Sequence, residues 1–462
     1  MKQRTLRLAA TGARLVTGTV VAAACVLGVI AAAAAPWPGV RDEPATTTIQ
    51  PVPRDAVLVC NGAFRALGRD ATQAGQMVSA SAMNARTDGA MEDVDTADLV
   101  MPDVLGGTGA VSLTGRVKDR EVPLFSASES VLLSDADASG FAAAPCREPG
   151  LESWLVGGDV SVGASDIILL SNPGAVTANV ELTVYGDKPS ASTVVVPAGT
   201  QMGVPLASVA AGSRMPVVHV VSSGAPVRAT LQSTLVRTLD AVGIDLQDGV
   251  SGPQNAQSIL GVQSSPAAQG DDSTTGIQVR MLAPGADAKA TVRITAAGSD
   301  SVIDEYPIDL AAGKPAEVAL SGLRQGAYDI EVSADEPVVA GARQVVRAGD
   351  GQDLAWSLPS PELEENATTM FSVPSGAPAT LYLHNPGDAK LSVEVGGDAS
   401  QTVHLGPGAS ATLALSAGGY TLTPTGRVNA AVGMLGGGGS AAVASWPLWP
   451  GAATTQPIVV RP

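Results

Sequence analysis

The stretch LLSNPGAVTANVELTVYG, at Leu169–Gly186, decides the fold prediction because the chain repeats its pattern farther on. The later copy, LYLHNPGDAKLSVEVGG, occupies Leu381–Gly397. In both copies an Asn-Pro-Gly triplet joins an apolar run to a run in which apolar and polar residues alternate. Alternation with period two is typical of a half-buried β-strand, and Pro followed by Gly is typical of a tight turn. Each copy therefore predicts a β-hairpin.

A third and more divergent copy, MLAPGADAKATVRITAAG at Met281–Gly298, lies between these two. Its turn proline follows that of the first copy by 111 residues and precedes that of the last by 102. A fainter echo, AVLVCNGAF at Ala56–Phe64, lies upstream and suggests a fourth copy. We expect each turn Pro to fix its φ and the following Gly to adopt a positive φ. The predicted turn residues are Asn172, Pro173, Gly174, Pro284, Gly285, Asn385, Pro386 and Gly387.

The repeat length predicts the fold class. Each copy contains about seven short strands in about 100 residues, which is typical of an immunoglobulin-like sandwich. The sequence thus predicts an all-β protein of tandem immunoglobulin-like β-sandwiches that follow an N-terminal transmembrane helix. The predicted domains are an N-terminal β domain at 55–150 and β-sandwiches at 151–262, 263–372 and 373–462.

The N-terminal region predicts export. Residues 15–35 form an uncharged run long enough to span a bilayer, and the basic tail 1–14 precedes it. The positive-inside rule then predicts a single-pass signal-anchor in the cytoplasmic membrane, with a cytoplasmic N-terminus, a Pro/Thr-rich stalk at 36–54 and the bulk outside. A cleaved signal peptide and a lipobox at Val21–Cys25 are alternatives. All three predict export.

Charge and cysteine content narrow the functional classes. The net charge of −17 disfavours binding to a nucleic acid. Of the three cysteines, Cys25 lies in the apolar run, and Cys60 and Cys146 remain in the exported region. A disulfide between those two is the expected state outside the cytoplasm, and two unrelated buried thiols are the alternative. Two cysteines alone do not make a metal site.

No catalytic constellation emerges from the sequence. The histidines are His219, His384 and His404, and each stands alone in a strand-like run. We expect ordinary strand residues, although His384 and His404 could face each other across neighbouring strands. The acids of DADASG, from Asp135, predict a polar turn rather than a calcium loop. We therefore predict no catalytic residue, cofactor or metal site, while paired carboxylates for glycoside cleavage stay open.

Two C-terminal motifs carry weaker predictions. The glycine-rich GMLGGGGS, from Gly433, has no Lys and no helix after it, so it predicts a hairpin or loop rather than a phosphate-binding loop. The motif SWPLWP places Trp446 and Trp449 near the end of the chain. We expect these tryptophans to cap the last sandwich, and an exposed docking patch is the alternative.

The segment CREPGLESWLVGGDVSVGASDIILLSNPGAVTANVELTVYG, Cys146–Gly186, resembles an uncharacterised actinobacterial family of membrane-anchored exported proteins. The shared features are the Cys, the Trp154-Leu-Val-Gly-Gly motif and the Asn-Pro-Gly turn. The family's early Cys-Pro-Gly appears here as Cys60-Asn61-Gly62. The resemblance implies that Cys60 pairs with Cys146 and that the anchor is retained.

The same resemblance implies cell-envelope biology, because genes of this family often lie beside a large membrane glycosyltransferase. We therefore expect a non-catalytic envelope scaffold or binding protein, with a glycosyltransferase or an envelope polymer as its partner. The alternative is a carbohydrate-active envelope hydrolase that uses acidic residues.

Overall fold

The computed structural model describes residues 16–30, 47–49, 54–68, 76–106, 108–119, 121–135, 138–238, 240–265, 276–349, 351–437, 439–451 and 458–460. The chain divides into two compact units, Met1–Pro51 with Gln456–Pro462, and Val52–Thr455.

The smaller unit contains the first helix, α1, at 16–30, which includes the exposed Cys25. Among the described residues, no helix has the length and hydropathy needed to cross a membrane. The rest of the predicted 15–35 anchor lies outside the described residues. Within the predicted stalk, strand β1 (Thr47–Ile49) pairs antiparallel with the last strand, β35 (Ile458–Val460).

The larger unit is built almost entirely of antiparallel strands in four modules. The first module has three three-stranded sheets, ordered β2-β8-β6, β10-β9-β5 and β3-β4-β7. Its strands are β2 Ala56–Cys60, β3 Phe64–Leu67, β4 Met77–Ser81, β5 Asn84–Gly89, β6 Val94–Asp98, β7 Val104–Leu105, β8 Val111–Gly115, β9 Phe125–Asp135 and β10 Ala138–Pro145, with a 3-10 turn at Met91–Asp93.

The second module consists of two four-stranded sheets, ordered β11-β16-β13-β14 and β15-β12-β17-β18, which share one apolar core. Alternation produces this core: in the strand ANVELTVY the apolar residues are buried and the intervening residues are exposed or half-buried. Its elements are β11 Glu152–Leu155, β12 Ile167–Asn172, β13 Ala178–Tyr185, β14 Ser190–Val196, β15 Thr200–Pro205, helix α2 Leu206–Val209, β16 Val217–Ser223, β17 Arg228–Arg237 and β18 Asp240–Asp248.

The third and fourth modules each have a core of their own. In the third, the first part of the long strand β24 pairs with β19 and β21, and its second part pairs with β20 and β25. Its strands are β19 Gln254–Ser264, β20 Ile277–Leu282, β21 Ala288–Ala296, β22 Val302–Leu310, β23 Ala316–Leu320, β24 Gly326–Ala348 and β25 Gly351–Ser357. Those of the fourth are β26 Glu362–Leu363, β27 Thr369–Val373, β28 Ala379–His384, β29 Leu391–Gly396, β30 Gln401–Leu405, β31 Ser410–Leu415, β32 Gly418–Pro424, β33 Val428–Leu435 and β34 Val443–Pro447.

The strand pairing differs from the predicted domain boundaries at two places. Strand β19, assigned mostly to the second domain, pairs with β24 of the third module. Strand β27, assigned mostly to the third domain, pairs with β32 of the fourth. The sequence signature of each repeat is its Pro-Gly turn, and the strand that begins the module, β19 or β27, carries no signature. The prediction therefore placed the leading strand with the preceding module.

The turns correct two predictions. The strands that they join, β12–β13, β20–β21 and β28–β29, do not pair with each other, so no copy forms the predicted β-hairpin at this turn. Gly174, Gly285 and Gly387 do not have a positive φ. The left-handed glycines belong instead to a later connection of each copy, β14–β15, β22–β23 or β30–β31, at Gly199 (φ 61°), Gly313 (φ 70°) and Gly408 (φ 63°).

In the first and last copies, the asparagine side chain explains the difference in the glycine φ. Asn172 Oδ1 accepts a hydrogen bond from Gly174 N at 3.0 Å, and Asn385 Oδ1 accepts one from Gly387 N at 3.0 Å. This asparagine-initiated turn needs no positive φ at the glycine. The Asn172 amide also donates to Val196 O in the adjacent turn, so one buried side chain joins the two turns.

The four modules close on one another rather than following one another in a line. Each contributes a hairpin, β9–β10, β17–β18, β24–β25 or β33–β34, and the second strands of these hairpins make a cycle of contacts. Strand β10 packs on β18, β18 on β25, β25 on β34, and β34 on β10. We call this arrangement the strand ring. It joins the first module to the fourth, which a linear array of sandwiches would not do.

Asp353 lies at the centre of the strand ring. Its Oδ2 accepts hydrogen bonds from Phe141 N (2.8 Å) and Val443 N (3.0 Å), and its Oδ1 from Ile244 N (3.2 Å) and Leu354 N (3.0 Å). One buried carboxylate thus satisfies an N–H group from each of the four ring strands. Burial raises the pKa of Asp353 well above its usual range, whereas the four hydrogen bonds favour its anion.

Small residues make room for this carboxylate. A Cβ atom on Gly140 or Gly243 would collide with Asp353 Oδ1 and with neighbouring backbone nitrogens. Each of these glycines precedes a donor, Phe141 or Ile244, just as Asp353 precedes Leu354. Of the residues that precede these three donors, Asp353 carries the carboxylate, and the other two are glycines, which leave room for it.

Candidate functional site

The structure confirms the disulfide between Cys60 and Cys146. The bridge connects the end of β2 to the residue after β10, and both cysteines are buried. The predicted turn residues lie in the connections β12–β13, β20–β21 and β28–β29, where Asn172 and Asn385 make local contacts. Neither set contains a group that is available for chemistry.

The three histidines lie in three separate places. His219 stacks on Trp154 with ring centroids 4.0 Å apart, and its Nε2 is 2.8 Å from Glu152 Oε1. His384 and His404 lie in β28 and β30, which belong to different sheets, so they do not face each other across neighbouring strands. No pair of these histidines forms a common site.

The described residues contain one cluster of possible metal ligands, Cys60, Glu129 and Cys146. Its two sulfur atoms are already joined in the disulfide. Glu129 accepts hydrogen bonds from Asn61 N (2.8 Å) and Asn61 Nδ2 (2.6 Å), and burial raises its pKa. The cluster is therefore a structural junction. The predicted polar turn DADASG falls partly outside the described residues, between β9 and β10.

A cleft of about 230 Å³ lies where the first and fourth modules meet, and we call it the Trp449 cleft. The first module contributes residues from β2, the start of β9 and the segment after β10, and the fourth contributes β27 and the segment after β34. The sequence could not reveal this cleft, because its two walls are more than 200 residues apart along the chain.

The C-terminal tryptophans divide between the core and the cleft. Trp446 and Leu448 are buried in the core of the fourth module, which confirms a capping role for Trp446. Trp449 is half-buried and lines the cleft. Alternation along the extended WPLW segment turns successive side chains to opposite sides, so the second tryptophan points away from the core.

Arg147 covers the Trp449 indole. Its guanidinium carbon lies 3.4 Å from the ring centroid, which is a cation–π contact. The backbone of Arg147 is fixed by two hydrogen bonds with Val59, and Nη1 donates to Gly249 O at 3.1 Å. Burial lowers the pKa of Arg147 to about 10, so the group remains a cation at neutral pH.

The cleft also contains a carboxylate and an unused donor. Glu148 Oε2 lies 3.7 Å from Arg54 Nη2. Burial raises the pKa of Glu148, and the charges of Arg54 and Arg147 lower it. The indole Nε1 of Trp449 is buried and has no hydrogen-bond partner among the described residues. The cleft therefore offers a cation, an N–H donor and one acidic acceptor beside the apolar side chains of Leu58 and Met370.

Two serines in the cleft wall hold the modules together. Ser126 Oγ and Ser372 Oγ are 2.7 Å apart, and Ser372 donates to Asp88 Oδ2 at 2.7 Å. Activation of a serine nucleophile requires a base such as histidine or lysine, and the described residues that line the cleft include neither. This short chain of hydrogen bonds connects the first module to the fourth.

These features define an all-β protein whose four modules close into one ring, with a cleft where the first module meets the last. The chain belongs to a family described as Family of unknown function (DUF5719), which matches residues 104–418. The match includes Arg147 and Met370 on the cleft walls, whereas Leu58 and Trp449 lie outside it. A comparison with curated proteins found no match.

Proposed function

We propose that this protein is a non-catalytic binding protein of the cell envelope and that the Trp449 cleft is its ligand site. The observation that carries the proposal is the composition of the cleft, in which Arg147, Glu148 and the free indole N–H of Trp449 surround an apolar floor. Small-ligand sites are typically concave and apolar with a few placed polar groups. A sugar unit, with apolar C–H faces and hydroxyl groups at its edge, fits that chemistry.

The alternative function, a glycoside hydrolase, has less support. Such enzymes use two carboxyl groups about 5–9.5 Å apart. Glu148 is the one carboxylate among the described residues that line the cleft. Buried acids such as Asp353 and Asp245 are enclosed by strands and bonded to backbone N–H groups, out of reach of a polymer. We therefore favour binding without cleavage.

The binding test uses the full-length protein in detergent and soluble fragments of envelope glycans, with tryptophan fluorescence and calorimetry. We expect Trp449→Ala and Arg147→Gln each to weaken binding at least about tenfold, as for a buried aromatic or arginine anchor. Arg116→Gln is the control, because it removes the same charge from an exposed side chain of the first module. Unchanged affinity in both cleft variants would exclude the cleft. Release of reducing sugar, abolished by Glu148→Gln, would establish the hydrolase instead.

Localisation forms part of the proposal. The uncharged segment 15–35 and the basic residues before it support an anchored protein whose modules, immunoglobulin-like in strand number and length, lie outside the membrane. Mass spectrometry of the mature N-terminus discriminates between the possibilities. An intact N-terminus in the membrane fraction supports the anchor, a new N-terminus beyond 35 indicates a signal peptide, and lipid on Cys25 indicates a lipoprotein.

The partner proposal is a membrane glycosyltransferase or the polymer that it makes, and its support is the family resemblance alone. Cross-linking in intact envelopes followed by purification of the full-length protein tests it. Recovery of a glycosyltransferase in amounts that fall with Trp449→Ala would link the partner to the cleft.

A further inference from the structure

A second cavity, lined by arginines, lies between the second and third modules. It has a volume of about 220 Å³ and is formed by the tips of the hairpins β17–β18 and β24–β25. Arg237, Arg343 and Arg347 line it, together with the apolar side chains of Leu235 and Val242. We call it the arginine pocket. Three guanidinium groups in one cavity are unexpected in a chain whose net charge is −17.

Arg343 and Arg347 reach the pocket from one strand. They are four residues apart on β24, so their side chains lie on the same face, with Cα atoms roughly 13 Å apart. Between them on that face, Val345 packs with Leu235 and Val242 to form the apolar floor. Arginine side chains are long enough to lean toward each other across that spacing.

Two of the three arginines have no side-chain partner among the described residues. The Nε atoms of Arg343 and Arg347 are buried without a hydrogen bond among the described residues, and neither side chain forms an ion pair there. Arg237, in contrast, donates to Asp159 Oδ2 at 3.1 Å and to Val162 O at 3.0 Å. Arg343 and Arg347 are half-buried, so the outer nitrogens of both guanidinium groups remain accessible to an anion that enters the pocket.

The electrostatics of Arg343 also favour an anion beside it. Burial lowers its pKa, and the neighbouring cations Arg280 and Arg237 lower it further, while Glu317 and Asp159 oppose the effect. Arg280 is itself bonded to Glu317 at 2.8 Å, so that carboxylate is already engaged. Within the part of the chain that the structure describes, the lining of the pocket contains one acid, Asp240, and its side chain is exposed.

We propose that the arginine pocket binds a phosphoryl group. Two unpaired guanidinium forks present more N–H donors than the two oxygens of a carboxylate can accept, whereas a tetrahedral phosphoryl group offers three or four oxygens. The overall negative charge does not oppose this, because exposed charges beyond about 8 Å are screened at physiological ionic strength.

Titration calorimetry on the full-length protein in detergent, at fixed ionic strength, tests the proposal with inorganic phosphate, pyrophosphate and acetate. We expect phosphate and pyrophosphate to bind and acetate to bind at least about tenfold more weakly, since a carboxylate satisfies a single fork. Acetate that binds as tightly as phosphate would overturn the phosphoryl assignment, and so would absence of binding at millimolar phosphate.

Variants identify the site. Arg343→Gln should weaken phosphate binding at least about tenfold, and Arg343→Lys should weaken it less, because lysine retains the charge without the fork. Arg324→Gln, an exposed position of the third module, removes the same charge and should leave binding unchanged. Thermal unfolding without phosphate shows whether each variant folds. Equal losses in Arg343→Gln and Arg324→Gln would reveal general electrostatic attraction and would refute the site.

Discussion

Replacing Asp353 by asparagine tests whether one carboxylate holds the strand ring closed. The substitution preserves the shape of the side chain and exchanges one oxygen for an NH2 group. Each oxygen of Asp353 accepts two backbone N–H groups, so either orientation of the amide leaves two N–H groups facing a donor. A buried polar group without its partner costs about 1–3 kcal/mol. The expected loss in the free energy of unfolding is therefore about 2–6 kcal/mol.

That loss is a large fraction of the stability of an ordinary domain, about 5–15 kcal/mol. Urea unfolding of the full-length protein, followed by tryptophan fluorescence, measures this loss, because Trp356 and Trp446 lie in the ring strands β25 and β34. Asp309→Asn, at an exposed position of β22, is the matched control and should stay within about 0.5 kcal/mol of the wild type. Asp353→Asn that unfolds at the wild-type urea concentration would show that the four hydrogen bonds do not stabilise the ring.

Three further predictions concern buried groups elsewhere. Burial raises the pKa of Asp245 to about 8, so the folded state binds a proton that the unfolded state releases near pH 4. The free energy of unfolding should therefore fall as pH rises from about 4 to 8, and Asp245→Asn should reduce this fall by up to about 1.4 kcal/mol per pH unit. Urea unfolding at several pH values measures both proteins, and parallel pH profiles would contradict the prediction. Asn172→Ala leaves the carbonyls of two turns without their donor and should cost about 2–4 kcal/mol, whereas an unchanged melting temperature would refute the role of the amide. Reduction of Cys60–Cys146, which closes a loop across 86 residues, should cost about 4–5 kcal/mol in the chain-entropy model, and equal stability of the oxidised and reduced protein would contradict it.

Local pattern was sufficient to predict the β-strands and the disulfide. Alternation in VELTV specifies which face of β13 is buried, because each residue's side follows from its position along the strand. The disulfide could be predicted because the chain has one other cysteine, Cys25, and it lies in the N-terminal apolar run.

Interactions between modules could not be predicted in the same way. The sequence gives no sign that Asp353 differs from the many acids expected in turns, because its four donors come from residues as far away as Phe141. The same is true of the pair formed by Gln232 and the Arg65 backbone, in which Arg65 N donates to Oε1 at 2.8 Å and Nε2 donates to Arg65 O at 2.7 Å. Alternation assigns Gln232 and Asp245 to the polar faces of β17 and β18, and both side chains are buried because those faces contact the first and third modules.

Those buried polar residues connect the architecture to both proposed sites. The Trp449 cleft has one wall in the first module and the other in the fourth, so it exists only when the strand ring is closed. The arginine pocket likewise needs two modules to bring their hairpin tips together. Hydrogen bonds require defined directions, and a junction built on them specifies one relative placement of the modules more strictly than apolar contact alone. Both proposed sites lie between modules, so their shape depends on that one relative placement. A carboxylate therefore suits the centre of the ring better than a hydrophobic side chain, because its hydrogen bonds specify the placement.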